Sequence, residues 1–127
     1  MRTVNVEWLE EYPVVRMVWA RELDLEHVES AFHTVTTLLN TRREATYVLV
    51  DLSANPQFPM LQTVSGALFG PHTNPYLKEW LVVGANAAAK QIGRVVTNIS
   101  GKHKIQWFDT QDEALAYVDF SAAENAV

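Results

Sequence analysis

Two short runs of uninterrupted apolar residues, Tyr47-Val-Leu-Val50 and Trp80-Leu-Val-Val83, constrain this chain more than any other feature. A strand with one wet face alternates apolar and polar side chains. A strand that is apolar throughout must be covered on both faces, as in parallel sheets flanked by helices. An α/β architecture is therefore expected. At 127 residues the chain can bury one core but not two of ordinary size. One domain is expected over 1–120, with a frayed tail over 121–127.

The flanking segments fit this plan. Val4, Val6 and Trp8 alternate with Asn5 and Glu7, the period of a half-buried strand. A β-branched run from Val14 to Trp19 follows Pro13, so the chain opens with an antiparallel hairpin turning near that proline. Asp24 can cap a helix whose apolar stripe is Leu25, Val28, Phe32, Val35 and Leu39, with Glu26, Glu29 and His33 outside. Leu61, Val64 and Leu68 predict a crossover helix over 61–69, which Gly66 weakens. Asn86 can cap the next helix, striped by Ala88, Ile92, Val95, Val96 and Ile99 and stopped by Gly101. After a last strand from Ile105 to Phe108, Thr110-Gln-Asp-Glu113 is a capping box, with Leu115 and Val118 facing inward. The expected order is β-β-α-β-α-β-α-β-α. This gives a mixed sheet of about five strands with an antiparallel entry, right-handed parallel crossovers and about four helices.

A net charge of −5 argues against a general nucleic-acid or anionic-membrane binder, because an acidic surface repels phosphate at long range. With no cysteine, disulfides and thiolate chemistry are excluded. Nowhere do about twenty apolar residues run together, and the N-terminus has no apolar leader, so a cytoplasmic protein that is not membrane-embedded is expected. Val64-Ser65-Gly66 does not make a nucleophile elbow, and Gly66, Gly70 and Gly84 are too scattered for a phosphate loop. His27, His33, His72 and His103 lack metal-ligand spacing, so they are read as surface residues, with no metal and no cofactor expected. Asp51 closes a strand, where it can serve as a general base or orient the following loop.

Trp8, Trp19, Trp80 and Trp107 fall in strands and are read as core. Were Trp8 and Trp19 on the outer face of the hairpin, they would instead mark an interface, and a homodimer could cover that edge. The segment from Ser53 to Met60 holds two prolines and leaves the carboxyl end of an inner strand, where open α/β sheets bind ligands. Phe58, Met60, Leu61, Leu68 and Phe69 gather beside it, as pocket lining or as core. Asn86, just after Gly84, can present helix N–H groups to an anion or simply cap the helix. Thr63 and Ser65 lie near another helix start, where a phosphoryl group would meet a favourable dipole.

Three segments carry a family likeness: Tyr47-Val-Leu-Val-Asp-Leu-Ser53, Trp80-Leu-Val-Val-Gly84 and Gln106-Trp-Phe-Asp-Thr-Gln-Asp-Glu-Ala-Leu-Ala-Tyr117. They resemble the STAS domain and its SpoIIAA-like branch. The resemblance implies a non-enzymatic switch that docks onto a protein partner and is released by phosphorylation of a Ser or Thr after the Asp-Leu-Ser strand. The family's Asp-Ser-Ser-Gly pattern is missing, and Gln57-Phe-Pro-Met-Leu-Gln62 stands in its place. Ser53, Thr63 and Ser65 are the displaced candidates for modification. Ser53, Asn55, Phe58, Met60, Thr63, Ser65 and Asn86 form the expected partner- or ligand-binding set. The branch's topology also resembles the lipid-exchange Sec14 domain, which implies a second function, carriage of a small apolar ligand. An enzyme acting through Asp51 and Ser53 is the third.

Overall fold

The computed structural model describes residues 4–20, 25–54, 70–84, 87–102 and 104–125. Its first strand, β1 (Val4–Leu9), pairs antiparallel with β2 (Val14–Trp19), Val4 opposite Trp19 and Leu9 opposite Val14. The turn closes where Tyr12 N–H donates to Leu9 O at 3.2 Å, just before Pro13, as the sequence predicts. Helix α1 (Leu25–Arg42) leads to β3 (Thr46–Asp51), and a single 3-10 turn (Pro71–Thr73) precedes β4 (Leu77–Val83). Helix α2 (Ala87–Ser100), strand β5 (Ile105–Phe108) and helix α3 (Gln111–Asn125) complete the chain.

The strands lie in sequence order, β1 through β5, with every pair parallel except the opening hairpin. This is the mixed sheet the sequence predicts. Three α-helices stand among the described residues where about four were expected, and the crossover helix placed over 61–69 lies outside them. α3 runs on to Asn125, so the tail expected to fray after Phe120 begins as helix. Ala122 and Ala123 continue it at little conformational cost.

Alternation along the strands sorts the core into two layers. Val15, Met17 and Trp19 of β2, Val48 and Val50 of β3, and Trp80 and Val82 of β4 face α1 and α2. Val14, Tyr47, Leu49, Leu81 and Val83 face α3, which answers with Ala114 and Val118. One irregularity interrupts the alternation. Thr46 pairs with Leu77 and Val48 with Trp80, so Lys78 and Glu79 together oppose Tyr47 in a β-bulge. Both bulge side chains reach the α3 face, where Lys78 lies 5.3 Å from the Tyr47 ring and Glu79 accepts from Tyr117.

Helix ends follow local chemistry. Glu113 N–H donates to Thr110 Oγ1 at 3.2 Å, the N-terminal half of the capping box. Gly101 takes φ +70° to end α2, a left-handed conformation that favours glycine. On α1 the predicted stripe is buried from Val28 to Leu39. On α2 Ile99 departs from the expected stripe and is 65 % exposed.

Candidate functional site

Beyond β3, Leu52 N–H donates to Val83 O and Ser53 N–H to Asp51 Oδ1, both at 2.9 Å. The Asp51 carboxylate thus orients the turn after its own strand. The exposed Ser53 lies against Gly84, where an added Cβ would stand 2.7 Å from Ser53 Oγ and where φ is +71°. Glycine alone lets the two strand ends meet this closely. Of the expected binding set, Ser53 is the described member. Asn55, Phe58, Met60, Thr63, Ser65 and Asn86 lie outside the described residues, together with Leu61, Leu68 and Phe69.

A cavity of about 80 Å³ lies between the sheet and its two helices, lined almost wholly by apolar atoms. Its floor is Trp19, Val50, Leu52, Trp80 and Val82, the α1–α2 faces of three neighbouring strands. Phe32 forms the α1 wall, edge-on to Trp19 at 6.1 Å and to Trp80 at 6.2 Å. Ala89, Ile92 and Val96 form the α2 wall. At the edge strand, Trp107 lies over Gly93, whose absent side chain makes room: a Cβ there would stand 2.6 Å from Trp107 Cζ2. The space is only partly enclosed, with one side open to the surface. A concave space lined by apolar side chains can accept an apolar molecule.

Two tryptophans depart from the expected uniform core. Trp107 is 37 % exposed, on the edge strand β5. Trp8 is half-buried on the α1 side of the sheet, with the Arg42 guanidinium 4.1 Å above its ring. Trp19 is buried beneath α1, so neither hairpin tryptophan lies on an outer face.

His72 overturns its reading as a surface residue, for it is fully buried beside the cavity floor. The Trp80 indole N–H, which can only donate, meets His72 Nδ1 at 3.0 Å. His72 is therefore neutral with its proton on Nε2, which donates to Ser100 Oγ at 2.9 Å. Burial, then the positive charges of Lys104 and Lys102, hold its pKa below the ordinary histidine value. Spacing offered no hint of this residue. The signal was Trp80 itself, since a buried indole N–H needs an acceptor.

The opposite face carries a second polar cluster. Glu79 accepts from Gln106 Nε2 at 2.8 Å and from Tyr117 OH at 2.5 Å. That hydrogen bond, with burial and the charge of Glu79, pushes the Tyr117 pKa up to about 12. Nearby, the buried Tyr47 hydroxyl has no hydrogen-bond partner among the described residues. Arg16 ion-pairs with Glu7 and donates to Gln111 Oε1 at 3.1 Å. Among the described residues, no three His, Asp or Glu side chains converge as a metal site would require, and no helix is long and apolar enough to cross a membrane.

No protein-family model and no curated protein matches this sequence. Solved structures do. The chain is similar to an uncharacterized protein of the DUF3478 family with a SpoIIAA-like fold from Shewanella loihica PV-4, with a TM-score of 0.62 and 13 % identity, covering 91 % of this chain and 92 % of that one. It is also similar to the protein TM1081, whose structure was determined by NMR, with a TM-score of 0.58 and 15 % identity over 90 % of this chain and 86 % of that one.

Proposed function

We propose that this SpoIIAA-like fold serves as a non-enzymatic binding domain for a small apolar ligand, held between the sheet and helices α1 and α2. The carrying observation is the cavity of about 80 Å³ among Trp19, Phe32, Trp80, Val82 and Ile92. Its volume is roughly half the ~150 Å³ of an apolar cavity that accepts benzene. That suits the end of an alkyl chain or part of a small ring rather than a whole lipid. The apolar lining supports binding without chemistry, and so does Asp51, whose carboxylate is engaged by the Ser53 N–H. The cytoplasm is the proposed location, as a chain without cysteine draws no stability from an oxidising compartment.

The test is a titration of the ¹⁵N-labelled protein with 1-hexanol, followed by NMR. Shifts are expected at Val82, Ala89, Ile92 and Val96. Ala89→Leu, which fills the cavity from α2, should abolish them while leaving the fold intact. Shifts that survive in the filled variant, or none in the parent, would refute the proposal.

A second reading, docking onto a protein partner, is favoured by two exposed apolar side chains, Ile99 at 65 % and Phe120 at 64 %. A homodimer through the β1 edge belongs to this reading. Native mass spectrometry on protein taken gently from its own cells separates the two: a small adduct favours the ligand and a second chain favours docking. Light scattering that finds only monomer at high concentration would remove the dimer.

A further inference from the structure

Charge is unevenly spread around the cavity. The stretch from Trp80 to Phe108, which supplies the α2 wall and the edge strand, holds four of the ten basic residues, Lys90, Arg94, Lys102 and Lys104, and none of the fifteen acidic ones. The rest of the chain is strongly acidic. None of the four cations has an acidic partner among the described residues: Arg94 reaches Gln91 Oε1 at 3.5 Å and Lys104 reaches Leu77 O at 3.3 Å. Their field is felt inside, where Lys102 and Lys104 act on His72.

Helical geometry sets two of these charges at the cavity's edge. At 100° per residue, Ala89, Ile92 and Val96 share the cavity face of α2, and Gly93 lies at its border under Trp107. Lys90 and Arg94, both exposed, come next around the helix beyond Gly93. Along one path, then, stand an apolar hole, the partly exposed Trp107 indole and two cations without an acidic partner among the described residues. Resting on the apolar-ligand reading above, we propose that the ligand is a single-chain anionic amphiphile, a medium-length carboxylate whose tail end fills the cavity, whose stem crosses Trp107 and whose head lies by Lys90 and Arg94. The charge segregation carries the choice of anion, and the small cavity volume carries the choice of one chain.

Calorimetry with hexanoate, octanoate, octanol and octylammonium tests this below their micellar concentrations. The carboxylates should bind best, with roughly a fourfold gain for each further methylene buried, and the cation worst. The carboxylate preference should shrink in high salt. In Lys90→Gln/Arg94→Gln the ratio of octanoate to octanol affinity should fall towards one, and Lys78→Gln, on the α3 face, should leave the ratio unchanged. Equal binding of all three head groups, or an unaltered ratio in the double variant, would overturn the anionic assignment while the apolar-ligand reading stands. Failure of all four probes would overturn both.

Discussion

Replacing His72 with leucine isolates the contribution of one buried imidazole. The substitution keeps the site filled but removes the acceptor at Nδ1, stranding the Trp80 indole N–H that now donates to it at 3.0 Å. An unsatisfied buried donor costs about 1–3 kcal/mol, so at pH 8 the variant should be less stable by that amount. The gap should then narrow in acid. His72 has a depressed pKa in the folded state, so its contribution is fully present above the unfolded value of about 6.5 and is lost as pH falls through the folded value. In that window the unfolded chain takes up a proton that the folded chain resists, at up to about 1.4 kcal/mol per pH unit. The variant has no such proton to take up, and every other group titrates alike in both proteins. Urea unfolding followed by circular dichroism at pH 8, 7, 6 and 5 gives the difference directly. A gap that stays constant, or widens towards acid, would refute the neutral, accepting His72.

Gly93→Ala sets two effects against each other. Helix propensity alone favours alanine by about 1 kcal/mol, but the new Cβ would stand 2.6 Å from the Trp107 ring, and overpacking costs about 1–3 kcal/mol. A net loss with red-shifted tryptophan emission is expected, whereas a gain of about 1 kcal/mol with unchanged emission would mean that Trp107 does not rest on Gly93. Tyr117, with its pKa pushed up to about 12, should give an ionisation step near that pH in an ultraviolet absorbance titration, and Tyr117→Phe should delete that step. Stability drawn from this raised pKa is present below about pH 10, the ordinary tyrosine value, and is lost as pH rises through about 12. A titration without a step near pH 12, or one that Tyr117→Phe leaves unchanged, would contradict the Glu79 hydrogen bond.

The sheet was legible because its inner strands carry their environment in their composition. Nothing but double-sided burial explains Tyr47 to Val50, and the hairpin and Gly101 announced themselves through turn chemistry. The SpoIIAA-like likeness was legible for the same reason, as it rests on these strands and the Thr110 cap. The cavity was not. Its walls come from four strands and two helices, and no local pattern records that Val50, Phe32 and Ile92 leave a space between them instead of filling it. Trp107 was misplaced because periodicity reports which face a residue takes, not whether another strand lies beyond it, and β5 is an edge strand. Asp51 had two readings in sequence, and the Ser53 N–H gives its carboxylate a loop-orienting contact.

The bulge at Lys78 and Glu79 gives β4 an unusual tolerance of length. Elsewhere in an inner strand, loss of one residue turns every later side chain to the wrong layer. Here Leu77 and Trp80 both face α1 although two residues separate them. Removing either of the two leaves one residue between Leu77 and Trp80, the spacing of an unbroken strand, with Trp80, Val82 and the whole cavity floor still facing the helices. The loss would fall on the far side of the sheet, at the Glu79–Tyr117 contact or the Lys78–Tyr47 contact. Here a deletion acts as a local edit that leaves the reading frame of the fold unchanged.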